Sequence, residues 1–196
     1  MADKKSIQEI HDYWMNSSTP DRYANKIERS EFLTKYVQKY IAKKGRILEV
    51  GCNVGRNLNH LYEQGYDRLS GIEISDEAVE ALKKTYPMMA AQADIFHTPI
   101  EDIVTKMRTN SFHLVFSLAV LEHLHPDSEW VFEELARISR AYIITIEAEQ
   151  AENWRLFPRN YKTIFEQFGY VQVEESDCIE ADLKNYTLRV FKKVGK

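Results

Sequence analysis

Ile47-Leu48-Glu49-Val50-Gly51-Cys52-Asn53-Val54-Gly55-Arg56-Asn57 is the stretch whose reading decides the fold. Ile47, Leu48 and Val50 suit a strand covered on both faces, and only Glu49 interrupts the apolar run. Gly51 and Gly55 suit a tight turn with positive φ, or bare backbone approached closely by a ligand. Leu58, Leu61 and Tyr62 then fall at helical spacing, with Asn53 or Asn57 near the helix start. A strand, a glycine loop and a helix form the first unit of a doubly wound sheet, which binds ligands beyond the carboxyl ends of its strands. The dinucleotide fingerprint needs glycine at 51, 53 and 56. Asn53 and Arg56 break it, which disfavours a pyrophosphate-bearing cofactor.

On the N-terminal side, Ile7, Ile10, Tyr13 and Trp14 predict a helix within residues 4–15. Ser17-Ser18-Thr19-Pro20-Asp21 breaks it, and Phe32, Leu33, Tyr36, Val37, Tyr40 and Ile41 predict a second helix from Ile27 to Ala42. Residues 1–44 are therefore expected to cover the sheet, with Tyr13, Trp14 and the polar loop to Tyr23 as a lid. Residues 45–196 are expected to form the single folded domain.

On the C-terminal side, Leu69–Ile74 reads as strand two, and Ser75 caps a helix ending before Pro87. Met88–Ile95 reads as strand three, Ile100–Met107 as a short helix and Phe112–Phe116 as strand four. A helix from Ser128 to Ser139 precedes strand five, Tyr142–Ile146. Asn160 caps a helix over Tyr161–Phe168. Val171 and Val173, and Leu188 and Val190, alternate with polar residues as two half-buried strands that pair antiparallel at a sheet edge. The predicted architecture is α/β: a doubly wound, Rossmann-like, seven-stranded sheet, mostly parallel, with an antiparallel C-terminal hairpin edge and helices on both faces.

Composition narrows the function. The 26 basic and 30 acidic residues give a net charge of −4 without a basic run, which argues against phosphate-backbone binding. Cys52 and Cys178 form no C-x-x-C, so neither a thiolate metal site nor a disulfide framework is expected. No apolar run reaches the roughly 18 residues of a membrane span, and no signal-like core follows Met1, so a cytoplasmic location is expected.

Glu49, Gly51 and Gly55 match the E/D-x-G-x-G-x-G motif I of the class I S-adenosylmethionine-dependent methyltransferases. Asn53 stands for the middle glycine, and Asn tolerates left-handed backbone best among other residues. Three further stretches resemble that family in the same order. Gly71-Ile72-Glu73-Ile74-Ser75 is similar to the strand whose acid holds the ribose hydroxyls, and Ala93-Asp94-Ile95 to the motif that takes the adenine. Leu121-Glu122-His123-Leu124, within Ser117–Leu124, is similar to the V-L-E-H-L segment of small-molecule methyltransferases. The resemblance spans residues 45–193. It implies S-adenosylmethionine as cofactor, S-adenosylhomocysteine as product, and Glu49, Gly51, Cys52, Asn53, Gly55, Glu73, Ile74, Asp94, Ile95, Ser117 and Leu118 as the binding residues.

Methyl transfer from a sulfonium depends mainly on alignment, and a base helps when the acceptor is a hydroxyl. Beyond strand four the candidate bases are Glu122, His123 and His125, with His123 and Glu122 nominated for catalysis. His11, His60, His97 and His113 show no partner pattern. Glu149 and Arg155 fall in the same segment after strand five as the nominated acceptor ligands Glu147, Trp154 and Arg159, to which Tyr13 and Trp14 are added. The expected acceptor is a small polar molecule, a sugar or metabolite hydroxyl, with no nucleic acid, membrane or metal. The alternatives are a S-adenosylmethionine-binding sensor without catalysis and, against the glycine spacing, a nicotinamide-dependent oxidoreductase.

Overall fold

Strand β1 (Ile47–Val50) lies between β2 (Leu69–Glu73) and β4 (Phe112–Leu118), parallel to both, in a computed structural model that describes residues 5–16 and 25–195. All four of its residues are buried, as the apolar run requires. With β3 (Asp94–His97), β5 (Ser139–Glu147), β6 (Tyr170–Asp177) and β7 (Thr187–Lys193) it forms one sheet of order β3-β2-β1-β4-β5-β7-β6. Strand β7 runs antiparallel to both neighbours, and the order reverses between β1 and β4. A ligand crevice forms at such a reversal because the two connections leave the sheet on opposite faces.

Successive strand residues feed two cores. On one face Ile47, Leu114, Phe116, Ile144 and Val190 pack with Phe32, Leu33 and Val37 of α2 (Ile27–Tyr40), and with Leu58 and Leu61 of α3 (Arg56–Glu63). Leu82 of α4 (Asp76–Thr85) and Met89 of α5 (Pro87–Gln92) complete this layer. On the other face Leu48, Val50, Val115, Ile143 and Phe191 meet Phe132 and Leu135 of α7 (Val131–Ile138) and Tyr161 and Phe165 of α8 (Tyr161–Gln167). Fully burying each aliphatic side chain contributes about 1.5–3 kcal/mol. Helix α2 is thus part of the core, whereas α1 (Ile7–Asn16) buries only Ile10. The polar stretch from Ser17 to Tyr23, expected in the lid, lies outside the described residues.

Several boundaries differ from expectation for identifiable reasons. Met88–Gln92, expected within strand three, is helical: Pro87 starts α5, and Met, Ala and Gln are good helix formers. Strand β3 therefore begins at Asp94 rather than ending there. The Ile100–Met107 segment splits into α6 (Ile100–Ile103) and a 3₁₀ turn at Val104–Lys106. Val171 and Val173 on β6 face solvent, 44% and 42% exposed. The polar residues that alternate with them are the less exposed ones: Gln172 accepts from Arg189 and Glu174 accepts from Tyr40.

Candidate active site

The glycine loop is built on three positive φ angles, at Gly51 (+68°), Asn53 (+46°) and Gly55 (+75°). Asn53 therefore occupies the left-handed position that its residue type allows. A Cβ on Gly51 would lie 2.4 Å from Val120, so the missing side chain makes room for the loop beyond β4. That loop carries its own strained residue, Ala119 at φ +57°.

Glu73 organises the loop. Its Oε2 accepts from the Asn53 amide at 2.7 Å and its Oε1 from the Ser75 amide at 2.8 Å. Burial pushes its carboxyl up, and the two amides oppose that. Glu49 accepts from the Asn57 side chain at 2.7 Å. Asn57 accepts in turn from Ser30, and Ser30 from Arg56, so the position of the missing third glycine links the loop to α2. Burial pushes the Glu49 carboxyl up to about 8, and its Oε2 has no donor among the described residues.

Glu147 fixes the segment after β4. Fully buried, it accepts from the Ser117 hydroxyl at 2.6 Å and from the amides of Val120, Leu121 and Glu122. Burial and the neighbouring Glu122 raise its carboxyl, and the Ser117, Glu122 and Leu121 donors pull the other way. Glu122 accepts from the Ala148 amide and from the Tyr186 hydroxyl at 3.0 Å. His123 Nδ1 lies 2.9 Å from the Arg155 carbonyl oxygen, which can only accept, so Nδ1 carries the proton and Nε2 the lone pair. Nε2 is 3.6 Å from Glu122 Oε1. Burial drives the His123 pKa down to about 4, aided by the Arg155 charge.

These elements enclose a cavity of about 390 Å³ beyond the carboxyl ends of β1, β2 and β4. Of the residues nominated from sequence it brings together Glu49, Gly51, Cys52, Asn53, Glu73, Ile74, Leu118, Glu122, His123 and Trp14. The others lie elsewhere. Gly55 caps α3. Asp94 is exposed and pairs with Ser70 at the start of β3, about 10 Å of strand from the level of Glu73, and Ile95 follows it. Thr98–Glu101, at the carboxyl end of β3, line the cavity in their place. Ser117 and Glu147 are spent on each other. Arg159 donates to the carbonyls of Leu121 and Leu124, and Glu149 is paired with Arg189. Tyr13 and Trp154 meet edge to face at 4.9 Å, outside the lining.

Sequence reading missed Arg29, Tyr186 and His11 in the lining. His11 Nε2 meets Glu101 at 3.3 Å, and Glu101 also accepts from Ser128. No sequence signal marks that pairing, because its partners are 90 residues apart.

Residues 48–142 match the family model described as a methyltransferase domain. Over that stretch the chain carries a methyltransferase domain, on the fold of the class I S-adenosylmethionine-dependent methyltransferases. A search of curated protein sequences finds no match. The methyltransferase superposes on magnesium protoporphyrin IX methyltransferase from Synechocystis PCC 6803, solved with bound S-adenosylmethionine. That comparison has a TM-score of 0.71 at 15% identity over 95% of this chain and 96% of the other. Geranyl diphosphate C-methyltransferase from Streptomyces coelicolor A3(2), solved with Mg²⁺, geranyl diphosphate and S-adenosylhomocysteine, gives 0.70 at 13% identity over 95% and 97%. The chain solved in complex with the Haloferax volcanii Trm112 methyltransferase activator gives 0.74 at 13% identity over 95% and 98%. At these identities the likeness shows the fold.

The methyltransferase's residues fit its cofactor. The unpaired Glu49 Oε2 suits the ammonium of a methionine end, and Glu73 retains lone pairs for the ribose hydroxyls. Among the described residues no group of three His, Cys, Asp or Glu could hold a metal ion, and no helix is long and apolar enough to cross a membrane.

Proposed function

We propose that this methyltransferase acts on a hydroxyl oxygen of a small polar acceptor, a sugar or metabolite, with His123 as general base. The observation that carries this reading is the fixed tautomer of His123. Its Nδ1–H is held by the Arg155 carbonyl, which leaves the Nε2 lone pair for an acceptor proton. When bound, S-adenosylmethionine supplies an electrophilic methyl carbon on a sulfonium. His123 Nε2 would take the proton that the acceptor hydroxyl loses as its oxygen is methylated. The imidazolium then has the Arg155 carbonyl on one nitrogen and Glu122 beside the other. Glu73 would hold the ribose and Glu49 the methionine ammonium. In this reading the partner is a small molecule, and the site of action is the cytoplasm.

His123→Ala tests the role. With methyl transfer measured over a panel of sugars and hydroxy acids, kcat is expected to fall about 10²–10⁴-fold, the range of general base catalysis. Affinity for S-adenosylmethionine is expected to stay unchanged. Wild-type turnover, or loss of cofactor binding, would remove His123 from this role. Tight S-adenosylhomocysteine binding without methyl release to any acceptor would favour the sensor alternative.

A further inference from the structure

The Arg155 guanidinium is held against three rings, its central carbon 5.5, 5.4 and 5.9 Å from the centroids of Tyr13, Trp14 and Trp154. Among the described residues it makes no hydrogen bond and no ion pair. Only the backbone of Arg155 is engaged, its amide donating to Asn153 and its carbonyl accepting from His123. Arg137 is spent on Glu134, Arg189 on Glu149, and Arg159 on the carbonyls of Leu121, Leu124 and Phe157. Arg29, Arg56 and Arg155 line the cavity: Arg56 is engaged with Ser30 and Asn57, the buried Nε of Arg29 has no acceptor among the described residues, and Arg155 is the one whose backbone holds His123.

A guanidinium with ring faces around it loses hydration and keeps its N–H donors, so an anion gains more from it than from a fully solvated cation. The cage does not await a cationic ligand, because Arg155 already fills it. The indole N–H of Trp14 is buried within the same cage and has no acceptor among the described residues. Trp14 also packs on His123, with centroids 4.4 Å apart, so anion and base are within reach of one small molecule.

We propose that Arg155 is the anchor of the acceptor subsite and selects an acceptor that carries an anionic group, a carboxylate or a phosphate monoester, beside the hydroxyl to be methylated. This rests on the reading of the cavity as the site of methyl transfer. One residue then serves both ends of the acceptor: its carbonyl sets the base and its side chain grips the anion. An anion on Arg155 also offsets the positive charge that helps to keep His123 unprotonated, which makes the imidazole a stronger base when the acceptor is in place.

The test is calorimetric titration of benzoate, phenyl phosphate and neutral benzamide into protein saturated with S-adenosylhomocysteine, repeated on the ligand-free protein. The anions are expected to bind at least about tenfold more tightly than benzamide, on the scale of a charge-assisted hydrogen bond. The tighter of the two anions identifies the acceptor's group. Arg155→Met should abolish that preference while S-adenosylhomocysteine affinity stays unchanged. Arg155→Lys, which keeps the charge without the fork, should retain part of it. Equal binding of all three probes, or an anion preference that survives Arg155→Met, overturns the proposal. Failure to bind S-adenosylhomocysteine would count against the cofactor reading, and the ligand-free titration would still judge Arg155.

Discussion

His123 Nδ1 donates to the Arg155 carbonyl oxygen at 2.9 Å, joining the segment after β4 to the one after β5 across 32 residues. The bond orients a neutral imidazole, and burial keeps it neutral, with a pKa near 4. Its pH consequence has a definite sign. In the unfolded chain His123 titrates near 6.5, so between pH 6.5 and 4 the unfolded state binds the extra proton. His123 therefore lowers stability as the pH falls through that window. Urea unfolding at pH 7 and pH 5 should show a smaller loss for His123→Asn than for the wild type. An equal loss would mean that the imidazole is solvated.

The opposite sign applies to His11. Its pairing with Glu101 raises the imidazole pKa and holds α1 to the residues beyond β3. This contribution is complete below the unfolded value of about 6.5 and is lost as the pH rises through the folded one. Limited proteolysis within α1 should accelerate with rising pH in the wild type, and Glu101→Gln should make it fast at every pH. A pH-independent wild type would exclude the contact as a clasp.

Glu73→Ala should weaken S-adenosylhomocysteine binding by about 2–3 kcal/mol, the scale of lost charge-assisted hydrogen bonds. It should also lower the melting temperature, because the Asn53 and Ser75 amides lose their acceptor. Glu73→Gln keeps a side-chain carbonyl and should recover part of the stability with little of the affinity. Full affinity in either variant would place the ribose elsewhere.

Gly51→Ala puts a methyl group 2.4 Å from Val120 at a φ of +68°. Left-handed backbone costs an alanine about 1–2 kcal/mol, and the clash adds to it. Chemical denaturation should show that Val120→Ala rescues the clash in the double variant and leaves the backbone cost. Strictly additive effects would mean that the two loops do not touch.

Much of this architecture was legible in sequence because it is local. Asn53 sits at positive φ, Ser75 and Asn160 cap their helices, and β1 is buried on both faces as its apolar run requires. Position along a strand was harder to read. Asp94 looked like a strand end only while Met88–Gln92 was counted as strand, and their helical propensity moves the acid to the far end of β3. Glu147 looked like a ligand because acids after a strand resemble one another in sequence. Only the structure shows four donors converging on it. Arg29, His11 and Tyr186 reach the cavity from elements far away in sequence, which periodicity does not encode.

The place of β7 between β5 and β6 has a consequence for synthesis. As the chain leaves the ribosome, β6 emerges before the strand it must pair with, and β5 presents a bare edge over the same interval. Both edges can template other chains until Thr187–Lys193 arrives. Gln172, Glu174 and Glu175 on β6 place polar and acidic side chains along that waiting edge, which opposes pairing between two nascent copies.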